Sequence, residues 1–382
     1  MSTIGILGGG QLARMLVLAG APLGVRFTVV DSAEDACAGQ VAPLIRADWR
    51  DFGALEKFAR DIDVATFDFE NVPAETAQWL TQRTQVFPNP RALAIAQDRL
   101  AEKTLFGECG LATPAFAPVE TRADLENALR TVGAPAILKT RRLGYDGKGQ
   151  FRLKSADDAD AAWGALGANT HGLILEAFVP FECEVSVVAV RGRDGDFRTW
   201  PLTRNWHSDG ILSASLAPAH VDDATVRAAF AHARTIAEKL DYVGVFALEL
   251  FLHKGELLGN EMAPRVHNSG HWTIEGAVTS QFENHVRAVL GLPLGDTFAL
   301  GRACMLNWIG ELPDANAILR ESDAHWHDYG KSPRAGRKVG HATVRARDDE
   351  TLAKTLQRIG DALGRQAQVQ PVIKALRASG AE

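Results

Sequence analysis

Glu249 and Glu261 lie in a stretch whose two apolar runs, 246–252 and 256–262, flank a tight Lys254-Gly255 turn. That pattern predicts a β-hairpin. With the turn so placed the two glutamates face each other across the ladder, their Cβ atoms about 4.5–5.5 Å apart. Like charges so opposed are destabilising, and burying two carboxylates together costs several kcal/mol unless something compensates. A divalent cation is the natural compensator, and oxygen-only ligands with open positions suit Mg2+ bridging nucleotide phosphates. A slipped register would instead turn one glutamate to solvent.

The hairpin runs on into Ala263-Pro264-Arg265-Val266-His267-Asn268-Ser269-Gly270-His271-Trp272. Arg265, just past the paired acids, can hold a planar oxyanion with two parallel hydrogen bonds. His267 and His271 have a spacing that would ligate zinc on a helix, but Pro264 and Gly270 argue against a helix there, which leaves polar residues of a substrate site. Earlier, Lys139 closes an apolar run, and Gly144-Tyr145-Asp146-Gly147-Lys148-Gly149-Gln150 leads into the next. Glycines so dense let backbone N–H groups approach an anion, and two lysines flank them. Because the segment joins two strands and opens no helix, it is not a P-loop. A mobile flap over a triphosphate fits it, as does a plain glycine-bearing hairpin.

Weaker signals surround these. Gly8-Gly9-Gly10-Gln11-Leu12-Ala13 follows a strand and opens a helix, with Asp31 closing the next strand. It can be read as close helix–sheet packing, as an anion cradle, or as a dinucleotide fingerprint. Glu176-Ala177-Phe178-Val179 precedes Pro180, and Glu184 follows. A strand edge there offers backbone groups to an adenine and a carboxylate to ribose hydroxyls, although such acids are commonly solvated. Lys331, Arg334, Arg337 and Lys338 crowd a Pro- and Gly-punctuated loop in a chain of net charge −6. They read equally as a phosphate pocket and as a solvated face.

These residues need a scaffold. Residues 3–7, 26–30 and 64–69 read as strands and 11–18, 51–59 and 74–80 as helices, a βαβ alternation that implies a parallel sheet. Pro88 and Pro90 punctuate the chain before a helical stretch at 91–107. Beyond Pro114 strands are expected at 136–139, 150–154, 173–179, 184–190, 197–201, 245–252 and 256–262, with helices at 157–166, 224–240 and 279–289. That is an antiparallel α+β grammar. A strand near 304–308, the basic loop, a strand at 341–345 and a helix from Asp349 close the chain. The expected domains are therefore an α/β unit at 1–95, an α+β unit at 96–295 and a small β-rich unit at 296–382.

Composition bounds the function. With 46% apolar and 23% charged residues the chain has enough apolar surface for real cores. A net charge of −6 is no footprint for nucleic acid. Its apolar runs are too short to span a bilayer, and the first residues lack a basic signal-peptide start. Cys37, Cys109, Cys183 and Cys304 are too dispersed for a zinc site and read as reduced thiols of a cytoplasmic protein.

Together, residues 8–11, 67–71, 97–103, 144–150, 201–212, 260–272 and 336–341 resemble the N5-carboxyaminoimidazole ribonucleotide synthetases, biotin-free ATP-grasp carboxylases of purine biosynthesis. The strings NEMAPRVHNSGHWT and GRKVGH are specific to that family, whereas GYDGKGQ and the paired glutamates are shared among ATP-grasp enzymes. The resemblance implies a Rossmann-like pre-ATP-grasp domain, a central ATP-grasp domain and a C-terminal domain, in a homodimer. It implies that ATP phosphorylates bicarbonate to carboxyphosphate, which carboxylates 5-aminoimidazole ribonucleotide. ATP would be held by Arg99, Lys139, Gly144, Tyr145, Asp146, Gly147, Lys148, Gly149, Gln150, Glu176, Ala177, Phe178, Val179, Glu184, His207, Asn260 and Glu261. Glu249 and Glu261 would hold Mg2+. Arg265, His267, Asn268, Tyr145 and Asp146 would be catalytic, and Gly10, Gln11, Leu12, Glu70, Lys331, Arg337 and Lys338 would meet the substrate. Leu143 departs from the pattern, standing where a glycine is expected. Competing expectations are another ATP-grasp ligase, such as a formate-using glycinamide ribonucleotide transformylase, a nucleotide-linked oxidoreductase reading 8–13 as its fingerprint, and a non-catalytic nucleotide sensor.

Overall fold

The computed structural model describes residues 2–144, 148–168 and 171–378. Among the described residues the first sheet is parallel, in the order Leu44–Arg46, Arg26–Asp31, Thr3–Leu7, Val64–Phe67, Gln85–Val86. Its central strand, Thr3–Leu7, is buried along its whole length. This is the continuous apolar strand that a parallel sheet covered on both faces demands. Helices Gln11–Gly20, Phe52–Arg60 and Ala74–Leu80 supply that cover. The stretch expected as one helix at 91–107 is two, Pro90–Ala96 and Arg99–Glu108. Asp98 separates them because its carboxylate accepts the Leu100 N–H (3.0 Å) and caps the second helix.

A four-stranded antiparallel sheet, Phe116–Val119, Leu173–Ala177, Ala136–Thr140 and Gln150–Leu153, packs helices Arg122–Val132 and Ala159–Leu166 over a core of its own. The large sheet is antiparallel and runs from Glu256–Ala263 through Gly244–His253, Cys183–Arg191, Thr203–Ser208, Ile211–Ala217, Arg302–Ile309 and Lys338–Ala346 to Ala324–Asp328. The strands from Arg302 onward thus continue the central sheet. Helices Asp349–Leu363 and Gln366–Ala378 cover that end of it.

Alternation along Cys183–Arg191 explains where the functional face lies. Val185 and Val187 point into the core under helix Asp223–Lys239, together with Leu248 and Leu250 of the neighbouring strand. Glu184 and Ser186 point the other way, as do Glu249 and Phe251. Farther along that second face Val188 and Val190 are apolar and lie beneath helix Gln281–Leu290. One face of one sheet therefore changes from core to polar wall along its strands.

Candidate active site

The polar wall opens on a cleft of about 980 Å³ lined by segments scattered from Gly10 to Lys338. At its N-terminal rim the glycine turn is filled by the protein's own acids. Gly9 N–H donates to Asp31 (2.6 Å), and Gly10 and Ala13 N–H donate to Asp68 (2.7 and 3.3 Å). Gly8 has φ +100°, and a Cβ there would sit 1.8 Å from an Asp68 oxygen. The Gly9, Gly10 and Ala13 donors are thus engaged by the protein's own acids, which favours the reading of the turn as close helix–sheet packing. Asp31, the ribose acid of the dinucleotide reading, caps the turn instead. Burial pushes Asp68 up to about 7, with Asp31 adding to it against the backbone donors and Arg265. Gly10, Gln11 and Leu12 still line the cleft, and Gln11 accepts a hydrogen bond from Lys331.

Deeper in, Glu176 is 2% exposed and lies between Lys139 Nζ (2.9 Å) and Lys103 Nζ (3.3 Å). Burial opposes its charge, but Lys139, Lys103 and Arg99 hold it down at about 2. Lys139 in turn is lowered, by burial first and by Arg99 and Lys103 beside it, against the pull of Glu176. Arg99 reaches Glu261 (3.1 Å). Glu102 is raised to about 8 by burial and by Glu261, so it stays neutral while accepting the Met262 N–H (2.6 Å). Three cations therefore face two carboxylates, and the surplus positive charge suits a polyphosphate. Glu176 itself serves as a counter-ion below the cleft. Glu176, Ala177, Phe178, Val179 and Gly149, all expected to hold ATP, are absent from the cleft lining.

Glu249 stands directly opposite Glu261, the expected pairing. Lys254 and Gly255 both have positive φ, the signature of a two-residue hairpin turn that alone would set Glu249 opposite Asn260, and a bulge between Glu249 and Leu250 brings Glu261 opposite instead. Glu249 is held down at about 2: burial raises it, but its hydrogen bond from His267 Nε2 (3.1 Å) and the charges of His207 and Lys338 prevail. Among the described residues no group of three or more His, Cys, Asp or Glu side chains could hold a metal ion by itself. Two carboxylates on one wall fit a cation that completes its shell with phosphate and water, which is how Mg2+ binds. His207 contacts Glu184, and that carboxylate raises it against the opposing effect of burial.

The remaining wall carries Arg265, whose Nε donates to Glu70, and Asn268, whose Nδ2 and Oδ1 are both buried and without a partner among the described residues. An amide so presented awaits a ligand with a donor and an acceptor. Lys331, Arg334, Arg337 and Lys338 all line the cleft, including Arg334, which was not among the expected substrate residues. Arg337 is steadied by Asp35 (3.2 Å) and Ser332 (2.8 Å). His271 is not part of the site: it is buried against Phe282 and His341. Leu143 lines the cleft at φ +63°, the left-handed backbone that explains the expected glycine. Gly144, Lys148 and Gln150 line it too, whereas Tyr145, Asp146 and Gly147 lie outside the described residues. Asp68, Gln97, Arg141, Phe251 and the Gly210–Leu212 wall were not among the expected site residues. Asp209-Gly210, both at positive φ, is a hairpin signal that could have located that last wall.

A ribonucleotide synthetase preATP-grasp domain matches residues 1–97, an ATP-grasp domain 104–282 and a phosphoribosylaminoimidazole carboxylase C-terminal domain 303–355. The N5-carboxyaminoimidazole ribonucleotide synthase of Pseudomonas aeruginosa is 51% identical over 350 residues, 91% of this chain and 96% of that protein. The crystal structure of N5-carboxyaminoimidazole ribonucleotide synthetase from Thermus thermophilus superposes with a TM-score of 0.90 at 53% identity, covering 94% of this chain and 98% of that one. The Aspergillus clavatus N5-carboxyaminoimidazole synthase, in complex with ADP and 5-aminoimidazole ribonucleotide, superposes with a TM-score of 0.88 at 30% identity over 95% of this chain and 99% of that one. With its three domains matched in order and the whole fold shared, the chain belongs to the N5-carboxyaminoimidazole ribonucleotide synthase family.

Proposed function

We propose that this chain is a ligase that uses ATP and bicarbonate to carboxylate the exocyclic amine of 5-aminoimidazole ribonucleotide. A bicarbonate oxygen attacks the γ-phosphorus of ATP, releasing ADP and forming carboxyphosphate. The amine then takes the carboxyl group, and inorganic phosphate departs. Arg99 and Lys139 receive the nucleotide phosphates. Mg2+ held by Glu249 and Glu261 would neutralise charge on those phosphates during transfer. Arg265, oriented by Glu70, and the amide of Asn268 hold the planar carboxyl group, while Lys331, Arg334, Arg337 and Lys338 take the 5′-phosphate of the second substrate.

The observation that carries this reading is that one cleft joins two separate cation clusters, one beside the paired glutamates and one on the C-terminal loop. Two phosphorylated substrates need two such places. The relative from Aspergillus clavatus, solved with ADP and 5-aminoimidazole ribonucleotide, supports the same pairing. A homodimer fits the exposed apolar group of Val278, Phe298 and Leu300, which backbone hydrogen bonds from Val278 to Phe298 and from Leu300 to Gly276 knit together. No described helix is long and apolar enough to cross a membrane, and we place the reaction in the cytoplasm. ADP release measured with and without bicarbonate and the aminoimidazole nucleotide tests the reading. Turnover that needs both supports it; turnover with formate in place of bicarbonate, or ATP binding without turnover, overturns it.

A further inference from the structure

Behind His267 the protein builds a buried chain of hydrogen bonds that the proposed reaction leaves without a task. Ser215 Oγ donates to Asn205 Oδ1 (2.8 Å), and Asn205 Nδ2 donates to Ser186 Oγ (3.0 Å). Ser186 Oγ donates to Ser269 Oγ (2.8 Å), which lies 2.9 Å from His267 Nδ1. Ser186, Ser215 and Ser269 are fully buried and Asn205 nearly so. The sheet register aligns these residues, with Ser186 opposite Glu249 and Asn205 opposite both Glu184 and Ser215.

The chain has a direction. An amide nitrogen can only donate, so Ser186 must accept from Asn205 and pass its own hydrogen to Ser269. Ser269 then has its hydrogen left for His267 Nδ1. The Ser269 backbone N–H also points at Nδ1 (3.3 Å), and a backbone N–H cannot accept. At the other end of the ring Nε2 faces a Glu249 oxygen at 3.1 Å, an acceptor for a hydrogen on that nitrogen. Ser269 and Glu249 thus favour the same form: lone pair on Nδ1, hydrogen on Nε2. Gln281 fixes the ring's base, accepting the His267 N–H (2.9 Å) and donating to its carbonyl (2.6 Å).

We propose that Asn205, Ser186 and Ser269 are positioning residues that lock His267 as the Nε2–H tautomer, making it a hydrogen-bond donor in the cleft and unfitting it as a proton acceptor. Nδ1 is occupied by donors, and Nε2 already carries its hydrogen. His267 can steady Glu249 or an anionic oxygen of a bound phosphate or carboxyl group. The proton lost by the attacking amine must go to another group. This rests on the proposed reaction for its catalytic meaning, but not for its geometry.

The test is the 15N spectrum of the imidazole nitrogens in the full-length protein without substrate, near pH 8, well above the ordinary histidine range of about 6.5. The His267 signals are assigned by their loss in His267→Asn. Expected are a pyrrole-type Nε2 and a pyridine-type Nδ1; hydrogen on Nδ1 overturns the proposal. Asn205→Leu keeps the volume but removes the amide that directs the chain. It should admit the other tautomer and lower kcat about 10-fold, with the KM for ATP within about 2-fold of wild type. A variant with either its ring nitrogens or its kcat unchanged also overturns the proposal. Because the wild-type spectrum needs no turnover, a protein that shows the expected tautomer yet consumes no ATP refutes the reaction and leaves the lock standing.

Discussion

Glu176→Gln separates two accounts of one residue, as an adenine contact or as a buried counter-ion. The substitution keeps shape and removes the charge that Lys139 and Lys103 approach at 2.9 and 3.3 Å. Glu176 falls from its usual 4.5 to about 2 in the fold. That depression corresponds to about 3 kcal/mol of stability at neutral pH. The known cost of removing one partner of a buried ion pair, about 3–5 kcal/mol, agrees with it. In thermal unfolding at pH 7 the variant should melt about 5–10 °C below wild type. Saturating ATP should narrow that gap, because phosphate oxygens restore negative charge beside the stranded lysines. A depressed carboxylate contributes stability that is full above its unfolded value. Wild type should therefore lose this component as pH falls from 4.5 towards 2, and the variant should not. An unchanged melt with a large rise in the KM for ATP would refute the counter-ion account and restore the nucleotide contact.

Glu249→Gln and Glu261→Gln should each bind nucleotide yet release ADP at least ~100-fold more slowly, since several kcal/mol of charge stabilisation are lost; near-normal turnover in either sinks the metal assignment. Arg337→Ala should raise the KM for 5-aminoimidazole ribonucleotide about 10–100-fold and leave that for ATP alone, charge-assisted hydrogen bonds being worth about 1.5–3 kcal/mol. If only ATP suffers in steady-state kinetics, the basic loop serves the nucleotide. Asp68 rises from its usual 3.8 to about 7, so the folded protein keeps a proton that the unfolded chain loses, and stability declines as pH climbs through that window. Asp68→Asn cannot ionise and should melt above wild type at pH 8 and alongside it at pH 4; the reverse order would show the carboxylate to be favoured in the fold.

What the sequence made legible was local. The hairpin itself followed from one turn and one alternation, but a two-residue turn alone sets Glu249 opposite Asn260, and it is the bulge beside Glu249 that brings Glu261 there. The parallel sheet followed from strands and helices taken in turn, since a βαβ unit is also a local object. What escaped reading depended on partners distant along the chain. Glu176 was expected to hold ATP, and its burial became visible only once Lys103, from a helix before the sheet, closed over it. In the glycine turn, Asp68, just past another strand, takes the Gly10 and Ala13 donors, which no local pattern announces. Ala324–Asp328 is rich in polar and aromatic residues and announces no strand; it pairs only because Lys338–Ala346 offers an edge. These features share a physical cause. A carboxylate is cheap in water and expensive when buried, so its role is decided by which cations or backbone donors reach it, and that is a property of packing. The serines and asparagine behind His267 follow the same logic. Alternation puts Ser186 and Asn205 on the polar face, yet only the stacking of four strands and one turn against the histidine makes them a directed chain.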